Sequence, residues 1–208
     1  MRNAWCRAMV RGAWLLASIL GSSAGFCEQM NLREFGQPDG LGNLALNALQ
    51  QDAQAFLWAG TENGLYRHDG QRIERVATQE LRRVAALASG GGHLWILSDT
   101  GTWWWHDGRL ERVLPRTAKL PQDAPMAIAA RGDEAWFVTV GGLQHVVVDR
   151  QTDSWSSSPV MTAEQLARHP EMGRLASVML ARDGALWAGC GDAICRWHRG
   201  ELKRWDAR

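Results

Sequence analysis

The sequence predicts an all-β fold: a β-propeller of about four four-stranded antiparallel blades, forming an incomplete or truncated ring. Three observations predict it. A tryptophan-centred segment occurs four times, as LWAGTENGLYRHDG from Leu57, LWILSDTGTWWWHDG from Leu94, AWFVTVGGLQHVVVDRQT from Ala135 and LWAGCGDAICRWHRG from Leu186. The anchors Trp58, Trp95, Trp136 and Trp187 lie 37, 41 and 51 residues apart, near the roughly 40–45 residues of a propeller blade. Every copy also keeps one internal order: an apolar stretch, the tryptophan strand, a glycine turn, then two short alternating strands. The twelve tryptophans, against one tyrosine, fall largely at these recurring places.

The first element is set apart by composition. Arg2, Arg7 and Arg11 precede WLLASIL and the small residues GSSAG, which is the layout of a secretory signal. Residues 1–27 are read as that signal, cleaved after Ala24 or after Cys27, and Phe26 departs from the small residue that precedes a lipidated cysteine. Left uncleaved, the segment would tether the chain to a membrane, although its apolar run is shorter than the ~20 residues of a spanning helix. No later stretch is apolar enough to span a bilayer, so a periplasmic or secreted location is expected.

Residues 28–208 are assigned to the propeller, with blades near 44–78, 82–115, 125–158 and 174–206. The first blade reads LALNALQQD, AFLWAGT, GLYRHDG and QRIERV, and the other three follow the same order. Asn-Gly, Asp-Gly and Gly-Gly pairs separate the strands, and these residues accept the positive φ of tight hairpins. A four-stranded meander cannot bury both faces alone, so successive sheets pack face to face around an axis. The anchor tryptophans then sit on second strands and fill the space between blades. One insertion, TAEQLARH, carries Thr162 and Gln165 at capping-box spacing and predicts a short helix near 162–169.

Composition excludes some functions. A formal charge of +1 on 208 residues offers no field for nucleic acid or anionic membrane. Gly60 and Gly64 resemble a phosphate loop, but the Lys and hydroxyl that complete one are missing. There is no nucleophile elbow, no zinc helix and no close Ser, His and Asp trio, so no catalytic residue, metal or cofactor is assigned.

Phe35, DGLGN at Asp39–Asn43 and QDAQAFLWAGTENGLYRHDG from Gln51 resemble the two-component regulator propeller repeats. Those repeats form exported sensor regions of bacterial hybrid histidine kinases and diguanylate cyclases. The first copy departs from the family pattern at Ala55, where glycine is usual, and the third keeps only its tryptophan, Gly-Gly-Leu and aspartate. The resemblance covers roughly residues 31–208. It implies an input portion of a signalling protein, with any kinase or cyclase output in another module. Family propellers usually have seven blades, so four imply an open or truncated arc, or a short ring that closes alone. The opening strand NLREF would lack a partner, because ELKRW already supplies the last blade's outer strand. An arc with open faces is expected to self-associate, to meet further blades, or to be marginally stable.

Candidate sites follow from the repeat alignment. Cys190 and Cys195 align with Thr61 and Tyr66 across a hairpin turn, and form a disulfide or remain two thiols; a zinc site would need more ligands than His198. Trp103, Trp104 and Trp105 alternate faces, so at least one is expected at a rim, where Trp104 would stack on a sugar or aromatic ligand. Arg67 and Arg196 occupy equivalent positions and point to an axial anion or pair with acids. His68, His106, His145 and His198 recur near blade ends, as repeat turns do. The reading is an exported sensor propeller binding a small molecule or periplasmic protein; the alternatives are a propeller lyase or lactonase, or a nonfunctional remnant of a truncated sensor gene.

Overall fold

The computed structural model describes residues 32–76, 80–115, 118–120 and 126–206. The signal segment 1–27 with both cleavage positions lies outside the described residues, as do the blade ends placed at 77–78 and 125. The chain divides into two units, Met1–Glu34 and Phe35–Arg208. In the first, only Leu32–Glu34 are described. Of the opening strand expected at NLREF, the described residues Leu32–Phe35 carry no strand.

The second unit has the predicted fold class. Blade 1 is β1 (Leu46–Gln51), β2 (Leu57–Thr61), β3 (Gly64–His68) and β4 (Ile73–Val76). Blade 2 is β5 (Val84–Gly90), β6 (His93–Ser98), β7 (Gly101–His106) and β8 (Arg109–Arg112). Blade 3 is β9 (Ile128–Arg131), β10 (Glu134–Thr139), β11 (Gly142–Asp149) and β12 (Ser154–Pro159). Blade 4 is β13 (Leu175–Leu180), β14 (Leu186–Cys190), β15 (Ala193–His198) and β16 (Glu201–Asp206). In each sheet the strands lie in chain order, as short hairpin connections require. Between blades 3 and 4 stands α1 (Ala163–Arg168). Its capping box is complete: Gln165 N donates to Thr162 Oγ1 at 3.2 Å and Thr162 N to Gln165 Oε1 at 2.9 Å.

A repeated device closes the hairpin between second and third strands. The hydroxyl ending the second strand donates across the turn to a glycine carbonyl: Thr61 to Gly64 at 3.0 Å, Ser98 to Gly101 at 3.2 Å, Thr139 to Gly142 at 2.8 Å. The three glycines have φ of 145°, 143° and 110°, which a side chain would strain. Blade 4 has Cys190 at the hydroxyl's place, and its sulfur is bonded to Cys195 at 1.98 Å.

Blades pack in succession. Cross-strand registry puts each anchor opposite a third-strand residue: Trp58 and Arg67, Trp95 and Trp104, Trp136 and His145, Trp187 and Arg196. Trp58 meets Trp105 of blade 2 at 6.1 Å, and Trp95 meets Phe137 of blade 3 at 6.1 Å. One apolar cluster joins blades 1 and 2, and another runs through blades 2, 3 and 4. Neither joins blade 4 to blade 1, so the described blades form an arc.

The two ends of the arc differ. At blade 1, Phe35 meets the His68 ring edge-on at 4.9 Å and shares an apolar hollow with Leu41, Leu49, Tyr66 and Ile73; Tyr66 is 2 % exposed, while Leu49 stays 59 % exposed. The glycines of DGLGN make that approach possible, since a Cβ on Gly40 would stand 2.3 Å from the Ile73 carbonyl oxygen and one on Gly42 2.9 Å from Tyr66 Oη. Among the described residues no segment outside the blades lies on the outer face of blade 4. Ile194 and Trp205 are 55 % and 47 % exposed. Trp187, expected to pack between blades, is half-buried against Trp205 at 5.3 Å, because no following sheet meets it.

Candidate functional site

The first strand of every blade faces the axis, and these four strands enclose a groove of about 480 Å³. Asn47–Gln50 of β1, Leu87–Ser89 of β5, Ile128–Ala130 of β9 with Met126 before it, and Val178–Leu180 of β13 line it. Its volume falls in the range of small-molecule sites, roughly 300–1,000 Å³. Opposite the four anchors stand Gln50, Ala88, Ala129 and Met179. The alanines among them let the strands converge without filling the axis. Among the described lining residues there is no ionisable side chain and no aromatic ring.

The few polar groups are tied to the walls. Asn47 Nδ2 donates to Glu62 Oε1 at 2.8 Å and to the Val84 carbonyl at 3.1 Å. Gln50 Nε2 donates to Ser89 Oγ at 2.9 Å, and Ser89 Oγ to the Gln51 carbonyl at 3.0 Å. The bond to Glu62 stays within blade 1, the other three cross between blades 1 and 2, and together they hold the amides in place. Asn47 and Arg83 together keep the Glu62 carboxyl below its ordinary range.

The predicted site residues lie elsewhere. Arg67 is on β3 and Arg196 on β15, each two strands away from the axis, about 10 Å at ordinary strand spacing. Arg67 pairs with Glu74 and lies 4.7 Å above the Phe56 ring; Arg196 pairs with Asp183 at 2.9 Å and lies 5.9 Å from the Trp187 ring. The axial-anion reading of both is corrected, since third strands do not reach the axis. Trp104 as a ligand-facing residue is likewise corrected: it is 1 % exposed, enclosed by Trp95 and by His106, whose ring stacks at 3.6 Å. Of its neighbours, Trp103 is 7 % exposed and Trp105 is half-buried against Trp58.

The histidines are dispersed among seams. His93 Nε2 lies 3.1 Å from Asp133 Oδ1, and burial lowers its pKa against the pull of that carboxylate. His145 stacks on Trp136 at 4.7 Å and bonds Glu134 at 3.0 Å. Among the described residues no three His, Cys, Asp or Glu side chains form a group able to hold a metal.

Sequence reasoning missed the groove because it searched the conspicuous Trp, Arg and His of second and third strands. The signal was in the plain apolar stretch before each anchor, where the innermost strand must lie. It also missed Asp52, which accepts from Trp58 Nε1 at 2.7 Å and from Phe56 N at 2.9 Å. That aspartate satisfies an indole which would otherwise be buried unpaired.

This arc of four-stranded blades has solved counterparts. The likeness is one of fold. It extends to the extracellular domain of the hybrid two-component system BT3049 from B. thetaiotaomicron, with a TM-score of 0.58 and 18 % identity over 83 % of this chain and 26 % of that one. The extracellular domain of the one-component system BT4673 from the same organism gives a TM-score of 0.56 and 19 % identity, over 80 % of this chain and 22 % of that one. A luciferin-regenerating enzyme gives 0.54 and 13 %, covering 77 % and 62 %. The chain thus spans about a quarter of the length of the sensor domains it matches. No family model matches the sequence, and no curated protein is similar to it.

Proposed function

We propose that the chain is the exported, ligand-binding part of a bacterial sensor, acting through its axial groove and without catalysis of its own. The observation that carries this reading is the groove itself: four inner strands converge on a walled space with fixed amides and no ionisable side chain among its described residues. Structural likeness to extracellular domains of two-component systems supports the signalling context and a periplasmic or extracellular place of work. Binding would act by favouring one arrangement of the blades, which a membrane-bound output module reads.

An enzyme is the second reading, because a luciferin-regenerating enzyme shares the fold, and fold alone does not fix function. The groove favours binding. Among its described lining residues the one hydroxyl is that of Ser89, and no histidine or carboxylate belongs to that lining. A thermal-shift screen of the whole chain against small metabolites, alongside Leu49→Arg and Met179→Arg, tests the site. Both side chains are more than half exposed, so the variants are expected to fold. A ligand should raise the melting temperature of the parent and lose that effect in both variants. Stabilisation that survives both would remove the groove from consideration, and metal-dependent lactone hydrolysis would establish the enzyme.

A further inference from the structure

We infer that the axial groove accepts an uncharged aliphatic molecule carrying hydroxyl or amide groups, and rejects anions. The inference rests on the reading of the groove as the ligand site and adds the class of ligand. Charge complementarity decides it. A charged ligand losing water in this groove would meet no counter-ion in the lining, and an unpaired charge is the costliest group to desolvate. In the neighbouring seams Glu62 is engaged with Arg83 at 3.0 Å and Asp133 with Arg150 at 2.5 Å.

The polar capacity that remains is dipolar. The amide nitrogens of Asn47 and Gln50 are spent on wall partners, and their carbonyl oxygens are acceptors. Each lining strand is also the edge of its sheet, and an edge strand keeps backbone N–H and C=O groups outside the ladder. Such a mixture bonds hydroxyls and amides well. The rest of the wall is aliphatic, with Met126 and Met179 61 % and 54 % exposed. Methionine's flexible thioether adapts to ligand shape. Without an aromatic ring, the groove lacks the stacking surface on which sugar rings are held.

The two methionines are also reporters. With ¹³C-methyl methionine in the full chain, Met126 and Met179 report the groove, while Met161 and Met172, 8 % and 2 % exposed, report the core. Octanamide and octanoate are matched in size and differ in charge. At neutral pH octanamide should shift the two groove methyls and leave the core methyls in place. It should bind about tenfold or more tightly than octanoate, as desolvating an unpaired carboxylate requires. Met179→Lys should then admit octanoate, read at Met126, which a merely hydrophobic preference would not do. Equal or tighter binding of octanoate to the parent overturns the ligand class and leaves the groove as a site. If neither probe moves a groove methyl, the class is overturned, and the metabolite screen judges the groove separately. Shifts confined to the core methyls overturn both.

Discussion

Ala55 sits at φ 66° in the turn that Asp52 organises, where the resemblance leads one to expect glycine. The left-handed region costs an alanine roughly 1–2 kcal/mol, and glycine's extra unfolded freedom returns about 0.5–1 of that. Ala55→Gly should therefore stabilise the chain by about 0.5–1 kcal/mol in urea unfolding; a loss would show the turn to be relaxed as it stands. His93 has a different signature. Burial favours its neutral form, so its folded pKa lies below the ordinary value of about 6.5. The unfolded state then binds more protons, and this contribution, complete above about 6.5, is lost as pH falls toward the folded value. The groups facing it are Asp133, Arg150 and His106. His93→Gln should flatten the stability profile between neutral and mildly acid pH, measured by unfolding at a series of pH values; an unchanged slope would assign it to other groups.

At the scale of the element, one hairpin design is executed in two chemistries. Blades 1 to 3 close the turn with a hydroxyl and a left-handed glycine, and blade 4 closes it with the Cys190–Cys195 bond. Both sulfurs are buried, at 1 % and 0 % exposure. Alkylation of the folded oxidised chain should leave Cys190 and Cys195 unlabelled, and alkylation after denaturing reduction should label both. Replacing both by alanine should cost about 2 kcal/mol, the chain-entropy value for so short a loop. Cys190→Thr with Cys195→Ala should recover part of that through the hydroxyl bond. Equal stability of the two variants would mean that the clamp is incidental to the turn.

For the whole molecule, the blades share a register but not a burial. Trp58, Trp95 and Trp136 are 3 %, 0 % and 7 % exposed, so truncation to alanine should cost about 3–5 kcal/mol at each. Trp187, at the same register on an uncovered sheet, should cost markedly less, and an equal loss would place a covering partner on blade 4. That open face, with Ile194 and Trp205, is where self-association is expected. Ile194→Ser with Trp205→Ser should shift the sedimentation of any dimer to that of a monomer; a dimer that survives both would lie elsewhere.

The local periods were legible in the linear chain. Alternation, turn glycines and recurring tryptophans specify strands and their order, because a hairpin's register depends on neighbours a few residues away. The capping box at Thr162 was legible for the same reason. Contacts between sheets are not local. Which face of a blade is enclosed depends on whether another blade packs on it, so Trp104 of β7 vanished into a seam while the anchor Trp187 of β14 stayed half open. Arg67 and Arg196 drew attention by their charge, yet their strand position kept them from the axis. The groove emerged only when four unremarkable inner strands, more than 120 residues apart from first to last, were brought around one line. Its neutrality is a property of that convergence, since the chain carries charges throughout and the packing of the blades alone decides which side chains reach the centre.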